Sequence, residues 1–354
     1  MQKVRVLIVD DAVVVRSRLS KILASDPQIE IAGVAATGQI ALAKLSQVKP
    51  DVVILDVLMP DLDGLQTLRQ IRQLDAKLPV IMFSVMTTPG AIATLDALSF
   101  GASDYAAKPS QLGSSAEITD YLEATLIPKI KAFGQKDISK PEVAQSPAPT
   151  PPQPARAIAE IVAIGVSTGG PNALTTLLSK LPATFPVPIV IVQHMPPMFT
   201  KLLAERLTTK CSLPVREAEM GEMLRPGTVW IAPGDYHLTV KRQTRGVQLT
   251  LDQTPACNFC RPSADVLFES VAQVYQERTL GVILTGMGQD GLRGCRKIRE
   301  LNGQILAQDE ASSVVWGMPG FVVNAKLADA VLPIDQILPE VLCRVNFNRD
   351  FKRG

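Results

Sequence analysis

The chain has 354 residues, of which 46% are hydrophobic and 5% aromatic, with a net charge of +2. That length is too great for one ordinary domain and comfortable for two. Near-balanced charge with no long basic block argues against nucleic acid as the main partner. No uncharged apolar run reaches about 18 residues, so no membrane insertion is expected.

The N-terminus, MQKVRVLIVDD, runs straight into a strand and an acidic pair. It lacks the apolar region and small-residue cleavage site of a signal peptide. Five cysteines are an odd and low count for this length, which fits reduced thiols in a cytoplasmic protein.

Residues 1–133 alternate β-rich runs with amphipathic helical patterns. The runs fall at 4–9, 29–34, 51–55, 80–83 and near 104–106. The helical patterns fall at 16–23, 40–48, 65–74 and 92–100. Five βα units predict a doubly wound α/β domain with a mainly parallel sheet. In such a sheet Asp10 and Asp11 follow the first strand, Asp56 ends the third, Ser84 ends the fourth and Lys108 follows the fifth. All these positions converge at the carboxyl edge, where ligands bind. Three carboxylates form an oxygen-rich site suited to Mg²⁺. Lys108 can pair with an incoming phosphate, Ser84 can bond a phosphoryl oxygen, and Asp56 is the candidate acceptor. Strand-end aspartates also serve simply as helix caps. For Asp11 alone that reading is as good; for the whole set the coincidence must repeat at every strand.

At these residues the first half of the chain resembles the receiver domain of two-component response regulators, a flavodoxin-like fold, over roughly residues 3–130. The aromatic Tyr105 before the lysine belongs to the same pattern. The resemblance implies Mg²⁺ held by Asp10, Asp11 and Asp56, with phosphoryl transfer to Asp56 from a histidine kinase. It also implies Ser84 and Tyr105 as switch residues.

Residues 134–157 carry six prolines and almost no large apolar side chain. They read as an extended, solvated linker. A second α/β domain is expected over 158–346, with strands at 161–166, 187–193, 229–232 and 280–285 and a hairpin at 237–240 and 247–251. Residues 347–354 read as a polar tail.

In the second domain IVAIGVSTGGP (161–171) is an apolar strand ending at a Gly-x-Ser-x-Gly-Gly turn. A strand-to-helix turn of this kind can lift the Ser167 hydroxyl and aim backbone N–H groups at the same place. A serine nucleophile needs a base and an orienting acid. The chain has two histidines. His194 follows the strand 187–193, at a carboxyl end like that of Ser167, and is preferred. His237 opens the hairpin and reads as a surface strand residue. Asp290 lies in LGVILTGMGQDG (280–291), where the next helix (292–301) starts, so an N-cap is its plain role. Asp309 is the rival acid, with a turn as its plain role. The glycines around Met287 let backbone N–H groups approach a substrate, so this turn can supply an oxyanion donor. A dinucleotide-binding reading of GVSTGG fails on spacing and on the missing acid after the next strand. The order Ser…His…Asp is not that of α/β-hydrolases.

Six motifs in order resemble one family: GVSTGGP (165–171), QHMP (193–196), APGD (232–235), RPSADVLF (261–268), TGMGQDG (285–291) and WGMPG (316–320). The family is the chemotaxis response regulator protein-glutamate methylesterase/protein-glutamine glutaminase, whose catalytic domain is Rossmann-like. The resemblance implies Ser167, His194 and Asp290 as the triad and the Met287 backbone at the oxyanion. It further implies methyl-accepting chemoreceptors as substrate, a chemotaxis histidine kinase as phosphodonor, and no cofactor for the esterase reaction. The layout suggests a receiver that covers the catalytic face until Asp56 is phosphorylated. CNFC (257–260) departs from the polar or basic residues usual there. A CxxC can bind zinc, but no second cysteine pair sits at ligand spacing, so two reduced thiols beside the substrate groove are expected. Two other readings compete: an interaction module that has lost catalysis, and a DNA-binding regulator. The intact triad opposes the first and the absence of a basic recognition helix the second.

Overall fold

The computed structural model describes residues 3–85, 87–109, 114–134 and 157–347. The chain divides into two compact units, Met1–Thr150 and Pro151–Gly354. The expected linker and polar tail lie almost wholly outside the described residues.

In the first unit β1 (Val4–Val9), β2 (Ile29–Ala35), β3 (Val52–Asp56), β4 (Val80–Ser84) and β5 (Asp104–Ala107) form one sheet in the order β2-β1-β3-β4-β5. Every pairing is parallel, which is the doubly wound order of flavodoxin-like folds. β3 and β4 are buried along their whole length, and this explains their unbroken Val/Ile/Leu/Met/Phe runs. Val6, Ile8, Ile54, Ile81 and Phe83 form the core with Leu19, Leu23 and Leu122 from the flanking helices. The helix at Gly64–Leu74 starts with a capping box between Asp63 and Gln66. The fifth βα unit calls for a helix after β5; two follow it, Ser115–Thr125 and Ile127–Gly134, and periodicity had given the bounds of neither.

In the second unit seven strands form another sheet. They are β6 (Ile161–Val166), β7 (Ile189–Gln193), β8 (Val215–Glu217), β9 (Val229–Ile231), then, beyond the hairpin strands β10 (His237–Gln243) and β11 (Gly246–Asp252), β12 (Thr279–Ile283), β13 (Gln304–Gln308) and β14 (Ala330–Leu332). The order β14-β13-β12-β6-β7-β9-β8 is parallel throughout. β6 therefore lies between β7 and β12, and the three loops that leave them share one edge. The hairpin β10–β11 stands apart as an antiparallel pair. Its Leu238, Val240 and Leu249 pack into the same core as Leu267, Phe268 and Val271 of the helix Ala264–Tyr275. β8, β13 and β14 are additions to the expected set. β8 and β14 have only three residues each, too short to show a period.

Candidate active site and phosphoryl pocket

The pairing Val166↔Gln193 ends the β6–β7 ladder. Ser167 and His194, one residue beyond each, therefore start from adjacent strand ends. The His194 amide donates to the Val166 carbonyl at 3.2 Å, and Gln193 Nε2 donates to the Ser167 carbonyl at 3.0 Å. On the other side of β6, Ser167 N donates to the Thr285 carbonyl at 3.1 Å. The loop carrying Met287 and Asp290 is thus held against the serine. A Cβ on Gly286 would lie 2.8 Å from Ser167 Cβ and 2.5 Å from Met318 Sδ, so only glycine permits this approach.

His194 Nε2 lies 2.7 Å from Asp290 Oδ2. The acid is buried and the imidazole half-buried. Asp290 does not cap the next helix along the chain, whose N-cap is Gly291. Its carboxylate instead sits on the N-terminus of another helix, Ala264–Tyr275. Ala264 N donates to Oδ2 at 2.6 Å and Asp265 N to Oδ1 at 3.2 Å. The N-cap residue Ser263 turns its hydroxyl to Oδ1 at 2.7 Å, and Asn258 Nδ2 adds a contact at 3.2 Å. Partial positive charge at a helix N-terminus and four donors favour the ionised acid. Burial works to raise Asp290, but the His194 imidazole, the Ser263 hydroxyl and the Ala264 amide outweigh it and hold the carboxyl below its usual range. Burial likewise works to lower His194; hydrogen bonds and charge from Asp290 and Cys260 outweigh it and push the imidazole up.

Nε2 is committed to Asp290, which leaves Nδ1 as the nitrogen for proton exchange. Nδ1 contacts Cys260 Sγ at 3.6 Å. Among the described residues Ser167 Oγ makes no hydrogen bond, so the structure joins His194 to Asp290 but does not close the Ser167–His194 contact. Catalytic hydrogen bonds of this kind often tighten only with substrate. The Met287 amide likewise has no acceptor among the described residues, as an oxyanion donor requires.

His237 is not the surface residue expected of it. It is fully buried, with Nε2 3.2 Å from the Pro255 carbonyl, because β10 turns its first residue into the core. Asp309 is a turn residue: its Oδ1 accepts from Ser312 N at 3.0 Å and Ser312 Oγ at 2.6 Å. The six motifs converge. Asp235 of APGD pairs with Arg261 of RPSADVLF at 2.5 Å. Gly317 N and Met318 N of WGMPG both donate to the Gly286 carbonyl. The residues missed from sequence are Asn258 and Ser263. Ser263 carried a signal, a serine directly before a helical run, but its acceptor is 27 positions away.

The CNFC segment reaches the site as well. Cys257 and Cys260 are paired by two backbone hydrogen bonds, of 3.1 and 2.8 Å. Asn258 and Phe259 between them have φ of 51° and 62°, as a type I′ turn demands. Phe259 is fully exposed at its tip.

In the first unit Asp10 and Asp56 are buried and Asp11 is exposed, and one oxygen from each lies within 4.8 Å of the others. Lys108 Nζ is 2.7 Å from Asp56 Oδ2 and 2.8 Å from Asp10 Oδ2. The Asp10 contact is an ion pair without hydrogen-bond alignment. Burial and the neighbouring Asp10 raise Asp56 to about 6, against the pull of Lys108. Three crowded carboxylates with an oxygen poorly satisfied by protein donors fit a hard divalent cation. Ser84 is buried, with its hydroxyl 3.2 Å from the Gly90 carbonyl. Tyr105 is buried too.

Fold and site define a response regulator with a hydrolase domain as its output. A family model described as CheB methylesterase matches residues 162–341, and one described as response regulator receiver domain matches 6–120. A protein-glutamate methylesterase/protein-glutamine glutaminase from Trichodesmium erythraeum is 54% identical over 98% of this chain and 100% of its own. One from a Nocardioides species is 46% identical over 98% and 96%. The catalytic domain of Thermotoga maritima CheB methylesterase superposes with a TM-score of 0.51 at 46% identity, covering 52% of this chain and 98% of that domain. The chain belongs to the CheB methylesterase family, the protein-glutamate methylesterases/protein-glutamine glutaminases. Receiver domains of this kind use Mg²⁺ for phosphorylation. No helix among the described residues is long and apolar enough to cross a membrane.

Proposed function

We propose that this chain hydrolyses glutamate methyl esters on chemoreceptors, and deamidates particular receptor glutamines, with Ser167, His194 and Asp290 as its triad. The observation that carries the reading is His194 held by Asp290 at 2.7 Å, with Asp290 itself fixed on a helix N-terminus next to the strand end that bears Ser167. Ser167 Oγ attacks the ester carbonyl while His194 Nδ1 takes its proton. The oxygen of the tetrahedral intermediate accepts the Met287 N–H. Methoxide leaves with the proton from Nδ1, and water repeats the sequence in reverse to release glutamate. With glutamine, ammonia leaves in place of methanol. Asp290 holds the imidazole tautomer and stabilises its charged form, which is the same interaction that pushes His194 up. The esterase steps use no cofactor.

In the receiver, Asp10, Asp11 and Asp56 would hold Mg²⁺, which supplies charge neutralisation for an incoming phosphoryl group. A chemotaxis histidine kinase is the donor and Asp56 the acceptor. Lys108 is placed to pair with the phosphoryl oxygens; Ser84 and Tyr105 respond as switch residues. Phosphorylation activates hydrolysis in the cytoplasm.

The test is methanol release from methylated receptor membranes by the wild type and by folded Ser167→Ala and His194→Ala variants. Release by the wild type with near-complete loss in both variants is expected. A folded variant that keeps comparable activity removes its residue from the triad.

A further inference from the structure

The CNFC turn supplies no reacting group to the hydrolysis, yet each of its two thiols meets a basic side chain of the site. Cys260 Sγ lies 3.6 Å from His194 Nδ1, and Cys257 Sγ lies 3.6 Å from an Arg293 guanidinium nitrogen. Both thiols are free and partly exposed. Each thiol thus pairs a basic nitrogen with partial exposure, as reactive cysteines do, although the Asp290 and Asp265 carboxylates stand near as well. The other three differ. Cys295 is buried and pushed well up by that burial, Cys211 is pushed up to about 11 for the same reason, and Cys343 is exposed on the helix Ile334–Arg344.

The turn also sets the two sulfurs on one face. Directly opposed, hydrogen-bonded residues of an antiparallel pair sit about 5.5 Å apart at Cα, inside the range a disulfide spans. A metal is the weaker occupant. Cys260 lies at ligand-like separation from His194 and Asp290, and Cys257 from Asp265 and Asp290, but the Asp290 oxygens already accept four protein donors besides His194. Asp265 accepts from Gly294 N at 2.7 Å and Asn258 Nδ2 at 2.8 Å. A soft cation would find little beyond the two thiols.

We infer that Cys260 and Cys257 form a peroxide-reactive pair, with Cys260 attacking and Cys257 resolving. The Cys260 sulfur attacks one oxygen of a hydroperoxide while His194 Nδ1 takes the thiol proton. The O–O bond breaks, an alcohol or water leaves with the proton of the His194 imidazolium, and Cys260 becomes a sulfenic acid. Cys257 sulfur then attacks the sulfenic sulfur, the S–O bond breaks, and water leaves with the Cys257 proton. Two thiols are oxidised to a disulfide, and the hydroperoxide is reduced to alcohol and water. The inference deepens the proposed function and rests on it for its consequence: the imidazole that serves Ser167 also serves Cys260, and the disulfide withdraws that sulfur from Nδ1.

The full-length protein treated with hydrogen peroxide should fall from five free thiols to three, with a Cys257–Cys260 disulfide in its peptides, reversed by dithiothreitol. His194→Gln removes the base beside Cys260 and should slow this by about 100-fold, the low end of what a positioned acid–base group contributes. Cys257→Ser should leave a Cys260 sulfenic acid that dimedone traps, which keeps the inference testable if His194→Gln does not fold. Ser167→Ala should oxidise at the wild-type rate, so a failed esterase reading and a failed thiol reading give different results. Oxidation of Cys343 with Cys257 and Cys260 untouched, an unaltered rate in folded His194→Gln, or no dimedone adduct in Cys257→Ser would each overturn it.

Discussion

Ser263→Ala isolates the helix-end support of the acid. The Ser263 hydroxyl is buried and gives the shortest of the three hydrogen bonds to Asp290 Oδ1, at 2.7 Å against 3.2 Å for Asn258 Nδ2 and Asp265 N. A hydrogen bond to a charged group contributes about 1.5–3 kcal/mol, so the variant should lose about that much in urea unfolding. The contact from Asp290 Oδ2 to His194 does not involve Ser263. The turnover loss should therefore be on the order of tenfold, far short of the loss on removing the acid. The lowered folded pKa of Asp290 contributes stability above the unfolded carboxyl value, about 3.9. That contribution is lost as pH falls through the folded value. Losing the Ser263 donor shrinks the depression, so acid unfolding should begin at higher pH in the variant. Unchanged stability together with unchanged turnover would refute the claim that the helix end holds Asp290.

Asp290→Asn should lower kcat by about 10⁴, the scale known for a triad acid turned to its amide, while Asp309→Asn leaves it near wild type; the opposite ranking in a methanol-release assay would make Asp309 the acid. Gly286→Ala forces a methyl against Ser167 and Met318 and should cost about 1–3 kcal/mol in chemical denaturation, with a fall in kcat. His194 must be neutral to accept a proton, and its raised pKa should put the acid limb of kcat/KM above the ordinary imidazole value of about 6.5. Cys260→Ala removes one upward influence, so the limb should move to lower pH; a limb that stays or rises counts against the Nδ1 contact.

The sheet-edge logic was legible because it rests on strand ends alone. Buried runs such as Val80–Ser84 have no turn residues inside them, and a parallel sheet gathers the residues just beyond each strand at one edge. Asp10, Asp56, Lys108, Ser167 and His194 were placed this way. Asp290 was singled out as the candidate acid, but its partner helix was not. A carboxylate docked on a helix 25–27 positions away leaves no local pattern, and the Asp-before-helix signal pointed to the wrong helix. His237 failed for a related reason: which face of a seven-residue hairpin strand packs inward depends on the helix Ala264–Tyr275 beneath it. Cys260 was assigned to the groove but not to His194, because the contact spans 66 positions.

The most direct measurement is methanol release from methylated chemoreceptor membranes by the full chain, with and without acetyl phosphate and Mg²⁺, beside Asp56→Ala. Release that rises with the phosphodonor in the wild type and stays flat in Asp56→Ala is the predicted result. Wild-type release that is indifferent to the phosphodonor would contradict control of the hydrolase by its receiver.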